Sequence, residues 1–290
     1  MSGIGQSRDN RLGLASAMLV LLAITGWSYW RIMASLFGEW QAGDDYSAGA
    51  LVPLVAAFLV WRERKALDDC VLEPCWWGGI ALLILAQAAR IYGLLFMSQS
   101  IERYSLVLAV AGLVLMVAGW QVLRRVLWIL LFLSLMVPLP RPVHNLIAGP
   151  LQRLATTGSV LVLEAFGAQV DQQGNLVMLN ENMPVAVTEA CSGLRMLTAF
   201  VIVAAFVAYM VKRPRWEKGV LLASSIPVAV ICNIIRIFLT AAIMLYGSVE
   251  LGEKFFHDFA GLVMMPAAVL LIFGEIWLMD KLIVPESEHQ

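Results

Sequence analysis

The 290-residue chain is 60% hydrophobic and 14% charged, with a net charge of −1 and a mean hydropathy of +0.80. Soluble domains average about 25% charged residues, so the composition excludes a soluble enzyme and describes a polytopic membrane protein whose solvent is mostly lipid. The net charge itself decides little, because in such a protein the distribution of Lys and Arg among the loops matters more than their sum.

A bilayer core takes about 20 apolar residues per crossing helix. The first apolar run, Leu12 to Phe37, is too long for a signal-peptide core and has no small-residue cleavage site before a soluble domain. It reads as a first spanning helix. Further runs lie near 48–61, 76–97, 104–120, 125–139, 191–211, 219–246 and 258–279. The second is short and starts nearer Tyr46 if it is to cross. The expected fold is an all-α polytopic membrane protein of about eight transmembrane helices in a single membrane-embedded domain, 1–290, ending in a short tail, 281–290. Arg8, Arg11, Arg62, Arg64, Lys65, Arg124, Arg125, Lys212, Arg213, Arg215, Lys218 and Lys281 all fall on one side of such a bundle. The positive-inside rule makes that side cytoplasmic and places both termini there. Trp40, Trp61, Trp76, Trp77, Trp120, Trp128 and Trp216 cluster near the expected helix ends, as interfacial aromatics do.

The longest segment on the opposite side runs from Pro140 to Ala190. Val143, Leu146, Ile147, Leu151 and Leu154 recur at helical spacing, with Asn145, Gln152 and Arg153 elsewhere on the wheel. An amphipathic helix along the outer interface is expected, interrupted at Pro150. In "NLVMLNENMPVAVT" two short apolar runs, Asn175–Leu179 and Pro184–Thr188, flank a polar linker, with Gly174 as a turn before them. They read as a small extracytoplasmic β-hairpin that leads directly to Cys191.

Of four cysteines, Cys70 and Cys75 lie in an expected cytoplasmic loop, where disulfides are rare and too few other ligands stand nearby for zinc. No metal, cofactor or nucleic-acid partner is expected. Cys191 is different. In "TEACSGLRML", Thr188 can cap a helix that holds Cys191 in its first turn, with Arg195 one turn along. Helix-terminal N–H groups and the neighbouring guanidinium favour a thiolate and can hold an oxyanion. A small buried Cys beside a snorkelling Arg fits the same ten residues. Arg236 lies deep in an almost uncharged run, three positions after Asn233 on the same face. An Arg facing lipid costs a few kcal/mol or more, so Arg236 is expected to face inward, toward an anion, a carbonyl, water, or an acid such as Glu164 or Glu275. His257 precedes the last helix at its outer end, where a neutral imidazole can take a thiol proton and later protonate a leaving amine. An interfacial His without such a role is also common.

"ACSGLR" (190–195), "NIIRI" (233–237) and "FHDFAG" (256–261) together resemble the three signature blocks of the exosortase/archaeosortase family. "YSAGALVPLVAAFLVWRERK" (46–65), "PLPRPV" and the hairpin are also similar to that family, over roughly 46–279. Ala48 departs from the pattern, standing where a His is usual, and is assigned no chemistry. The family comprises integral-membrane cysteine transpeptidases that process C-terminal sorting signals of secreted proteins. The resemblance implies Cys191 as nucleophile, Arg236 as transition-state stabiliser and His257 as acid/base residue. For His257 a proton shuttle and a fixed positive charge both stay open, since some relatives carry Arg there. Arg195 and Asn233 are expected to position substrate. The implied substrate carries a Pro-Glu-Pro-like (PEP-CTERM) motif, an apolar helix and a basic tail. A thioester acyl-enzyme would be resolved by a lipid or glycan acceptor or by water. The implied location is the cytoplasmic (inner) membrane, with the site facing the extracytoplasmic side.

Three other readings compete. A membrane transporter could use Arg236 in an anion pathway, but no duplicated broken-helix pattern is present. A thiol oxidoreductase would need Cys191 to reach Cys232. Serine and metallo intramembrane proteases are disfavoured, because neither G-x-S-x-G nor H-E-x-x-H occurs.

Overall fold

A computed structural model of the chain describes residues 13, 16, 18–42, 44–174, 176–179, 183–186, 193–248, 250–252, 255 and 264–282. The chain divides into two compact units, Met1–Pro140 and Arg141–Gln290.

The first unit contains helices α1 (Met18–Ser28), α2 (Trp30–Ala42), α3 (Leu51–Asp68), α4 (Trp76–Leu95), α5 (Gln99–Ala118) and α6 (Trp120–Leu133). Its centre is the antiparallel pair α4–α5, brought to backbone contact by glycines. A Cβ on Gly79 would lie 2.5 Å from the Met116 Cα, and one on Gly93 would lie 2.8 Å from the Glu102 backbone N. In lipid there is little hydrophobic force between helices, so small residues that permit close van der Waals packing hold such pairs together. Polar groups of this unit pair with one another. The Arg103 guanidinium, 4% exposed, grips Glu39 through both terminal nitrogens, the second at 2.9 Å, and also meets Gln99 at 3.2 Å.

The first apolar run is not one straight helix. It bends by 68° between α1 and α2. Arg90 occupies the bend, donating to the Ser28 carbonyl and hydroxyl, each at 3.0 Å, while its guanidinium stacks 4.6 Å from the Tyr29 ring. A carbonyl released by a break in a helix needs such a donor in an apolar medium. At the other end of the unit, Gly119 separates α5 from α6 at φ +87°, with space for a Cβ closed off by the Glu73 carbonyl at 2.0 Å. Arg124 and Arg125, expected to separate two spanning helices, lie inside α6, where Arg125 pairs with Glu63 at 3.5 Å.

The second unit contains α7 (Arg141–Ala165), strands β1 (Val170–Gln173), β2 (Leu176–Leu179) and β3 (Met183–Ala186), then α8 (Leu194–Met210), α9 (Arg215–Tyr246) and α10 (Met264–Leu282). Helix α7 continues through Pro150 rather than stopping there. Pro150 and Leu146, whose carbonyl loses its i+4 donor, both lie on the exposed face, so the ring displaces no packed neighbour. The opposite stripe of α7, with Ala155, Thr156 and Ser159 fully buried, packs on α9. The Ser159 hydroxyl lies 3.2 Å from the Ile234 carbonyl of that helix.

The expected hairpin is present as β2 and β3, antiparallel with Leu176 opposite Ala186 and Leu179 opposite Met183. It is part of a three-stranded meander, because β1 pairs with β2 across the turn at Gly174 (φ +65°). β1 reads Val-Asp-Gln-Gln, with one apolar residue, and offers no alternation to detect. Val177 and Leu179 of β2 are buried against Leu163, Ile237 and Ala241, which fastens the sheet to α7 and α9. Farther along, Ala204, Ala208, Leu221 and Ile272 form a separate cluster between α8, α9 and α10. Arg213, in the α8–α9 connection, reaches Glu217 and Asp280, and hydrogen bonds to these carboxylates, Asp280 first, push its pKa above the usual arginine value.

Among the described residues α4, α5, α7 and α9 are long and apolar enough to cross a membrane, with the bent α1–α2 pair as a fifth. The expected eight crossings are not reached by that measure. Helices α6 and α8, of 14 and 17 residues, extend about 21 and 25 Å at 1.5 Å per residue, short of a core of about 30 Å. The expected interfacial helix, α7, has instead the length and apolarity of a crossing one. The chain is a multi-pass membrane protein in which Ile84, Leu94, Leu270 and Phe273 show the exposed apolar surface that lipid covers.

The glycine contacts make a stability prediction. Gly79→Ala forces its Cβ into the α5 backbone and is expected to cost about 1–3 kcal/mol, as overpacking does. Gly38→Ala, with nothing within 4 Å of the added atom, is expected to be neutral or slightly stabilising. Thermal unfolding in detergent, compared for the two variants, checks the difference.

Candidate active site

Helix α9 has a buried and an exposed face. Ser225, Ala229, Cys232, Asn233, Arg236, Ile237, Thr240 and Ala241 are buried, while Ile226, Ile231 and Ile235 are exposed. The buried positions recur at intervals of three and four, the helical repeat that defines one face. Arg236 and Asn233, each 1% exposed, lie on this face one turn apart, and Arg236 is the largest fully buried side chain among the described residues. Thr240 bonds to the Arg236 carbonyl at 2.9 Å. The two acids that the sequence offers to Arg236 are placed differently: Glu164 is exposed, and Glu275 accepts from the Ser224 hydroxyl at 2.6 Å.

Helix α8 begins at Leu194, with Gly193 as its N-terminal flanking residue at φ +75°, ψ −1°. The Gly193 carbonyl accepts the first helical bond, from the Leu197 N–H at 2.9 Å. Side chains are strained at that φ, which glycine adopts freely. Space closes the position as well, because a Cβ there would lie 2.9 Å from Nδ2 and 3.2 Å from Cγ of Asn233. The crevice between them, lined also by Leu151, Ala229 and Val230, is too narrow for water. The start of α8 is thus seated directly on the Asn233–Arg236 face of α9. Arg195, in the first turn of α8, is half-buried.

Cys191 and His257 lie outside the described residues, as does Thr188. The cap expected at Thr188 is not the one used: α8 starts at Leu194 from Gly193, so Cys191 precedes the first turn of that helix in the chain rather than lying within it. Arg195, Asn233 and Arg236 are described, and of these the fold joins Asn233 and Arg236 on one buried face, with the N-terminus of α8 against it. Cys232, buried, lies on that face too. Among the described residues no group of three His, Cys, Asp or Glu side chains could hold a metal ion. The contact of Gly193 with Asn233 is the part of this region that the sequence reading passed over. Its one signal was a glycine immediately before an apolar helical run, where Ser, Thr, Asp or Asn is the commoner flanking residue.

Comparison with known proteins adds a family. No curated protein and no solved structure matches the chain. The family model described as transmembrane exosortase matches residues 40–274. That match runs from the end of α2 into α10 and takes in the Gly193, Asn233 and Arg236 segments, and it covers well over half of the chain: the protein belongs to the transmembrane exosortase family.

Proposed function

We propose that the chain is a membrane-embedded cysteine protease and transpeptidase that cleaves the C-terminal sorting signals of secreted proteins and transfers the new carboxyl terminus to an acceptor. The observation that carries this reading is a guanidinium, Arg236, held fully buried on the inward face of an apolar 32-residue helix, in a chain of the exosortase family. A charge is rarely retained in such a place unless it acts on an ion or a polarised group.

In this reading the substrate stays anchored by its own C-terminal helix, with the scissile peptide just outside it. The Cys191 thiolate attacks the carbonyl carbon. Arg236 and the N–H groups at the start of α8 stabilise the oxyanion. His257 protonates the leaving amine, which departs as the C–N bond breaks and leaves a thioester. An amine or hydroxyl on a lipid or glycan, or water, then takes the acyl group and returns the thiol. Arg195 and the cationic Arg236 suit a motif that carries a carboxylate. The site faces the outside of the cytoplasmic membrane, as the positions of the basic residues favour.

Cys191→Ser is expected to abolish processing of a reporter carrying a Pro-Glu-Pro motif, an apolar helix and a basic tail, at unchanged membrane abundance. Wild-type processing by this variant, quantified by immunoblot, would remove the nucleophile.

Arg236→Ala is expected to lower processing per inserted molecule by about 10²–10³-fold, the usual loss when one oxyanion donor is removed. Arg236→Lys is expected to recover little of it, since Lys keeps the charge but loses the planar pair of donors. Near-complete recovery by Lys would reduce Arg236 to a point charge that tunes the thiolate.

The sidedness is checked by impermeant maleimide on single-cysteine variants. Gln173→Cys is expected to be labelled from outside intact cells, and Arg215→Cys only after permeabilisation. Labelling of Arg215→Cys from outside would overturn the orientation.

A further inference from the structure

We propose that Asn233 is a positioning residue for Cys191 rather than a contact for substrate: with Gly193 it forms the seat that sets where the start of α8 stands relative to Arg236. The inference rests on the cysteine-protease reading above. Two observations carry it. The Asn233 side chain, 1% exposed, fills the space in front of the Gly193 Cα, with Nδ2, Cγ and Cβ at 2.9, 3.2 and 3.4 Å from where a Gly193 Cβ would stand. Separately, Gly193 is at φ +75°, so the chain enters α8 from a direction that other residues do not readily adopt.

Chain geometry supplies the rest. Asn233 and Arg236 are three residues apart on one helix, about 4.5 Å along its axis. Cys191 is two residues before Gly193 in the sequence, which limits the separation of their Cα atoms to about 7 Å. In this proposal a short arm hung from a fixed seat keeps the thiol within reach of the Arg236 guanidinium. A bulkier residue at 193 pushes α8 away from α9, and a smaller one at 233 removes the surface it rests on. Either change separates the thiol from the cation while leaving both side chains intact. The sequence alone suggested that Asn233 positions substrate; its packing against the Gly193 backbone supports the positioning of Cys191 instead.

The reactivity of Cys191 reports the separation without needing a substrate. In a full-length chain carrying Cys70→Ser, Cys75→Ser and Cys232→Ala, Cys191 is the one remaining thiol. Its alkylation by iodoacetamide is followed against pH in membranes. An ordinary thiol titrates near 8.5. Cys191 is expected to titrate below that, and Arg236→Ala is expected to raise its midpoint. Gly193→Ala and Asn233→Ala are each expected to raise it by about one unit, or about tenfold less thiolate at pH values well below the midpoint. The double variant is expected to shift by less than the sum of the singles, as residues in contact do. If Gly193→Ala fails to insert, Asn233→Ala, which only removes atoms, carries the test. An unchanged midpoint in the inserted single variants overturns the proposal, as does a loss of abundance with normal reactivity in what remains. Failure of the underlying reading is separate and is seen as reporter processing that survives Cys191→Ser.

Discussion

A guanidinium cannot be left against hydrocarbon, and that constraint orients the second unit of this protein. With Arg236 turned inward, the exposed face of α9 consists of residues such as Ile226, Ile231 and Ile235, and the inward face carries Ser225, Asn233, Arg236 and Thr240. Everything that packs on α9 must then accommodate a polar stripe. Helix α7 does so with small residues, Ala155, Thr156 and Ser159; the Thr156 and Ser159 hydroxyls donate to carbonyls of their own helix, and that of Ser159 also to the Ile234 carbonyl of α9. The sheet closes on the adjoining apolar patch through Val177 and Leu179. Helix α8 starts on the stripe itself, at the one residue type that tolerates both the dihedral and the proximity of Asn233.

The first unit meets the same constraint. Arg103 and Arg90 are paired, one with the Glu39 carboxylate and the other with the Ser28 carbonyl and hydroxyl at the α1–α2 bend. In an apolar medium a broken helix exposes backbone groups that need partners, so the bend and the arginine belong together. Glycines supply the remaining cohesion at α4–α5, where backbones touch. In the first unit Arg103 meets a carboxylate and Arg90 a carbonyl and a hydroxyl; in the second Arg236 lies on a face shared with the N-terminus of α8, where an anion-stabilising role is proposed.

Much of this was legible along the chain. The apolar runs fell where helices stand, the β2–β3 hairpin was readable from Val and Leu flanking a polar linker, and the inward orientation of Arg236 followed from the cost of the alternative. Three elements escaped. β1 carries too few apolar residues to alternate. The continuation of α7 through Pro150 depends on that ring facing outward, which no local pattern encodes. The break at Ser28–Tyr29 is stabilised by Arg90, sixty-two residues away, so no window around the bend contains its cause. The number of crossings is a separate matter: by length and apolarity four helices and one bent pair qualify among the described residues.

The family was determined by sequence alone, since three short blocks in order are a property of the chain. So was the chemical inventory of thiol, guanidinium and imidazole. The tertiary structure decided that Arg236 shares a buried face with Asn233 and that the start of α8 is seated against it. Asn233 reads in sequence as one more polar residue near Arg236, able to touch substrate. Folded, it is packed against the backbone of Gly193, a residue from another helix forty positions earlier. The physical reason for the difference is that a dihedral preference and a steric contact coincide at one point in space. The sequence records the glycine, but the neighbour that makes it necessary is brought there only by folding.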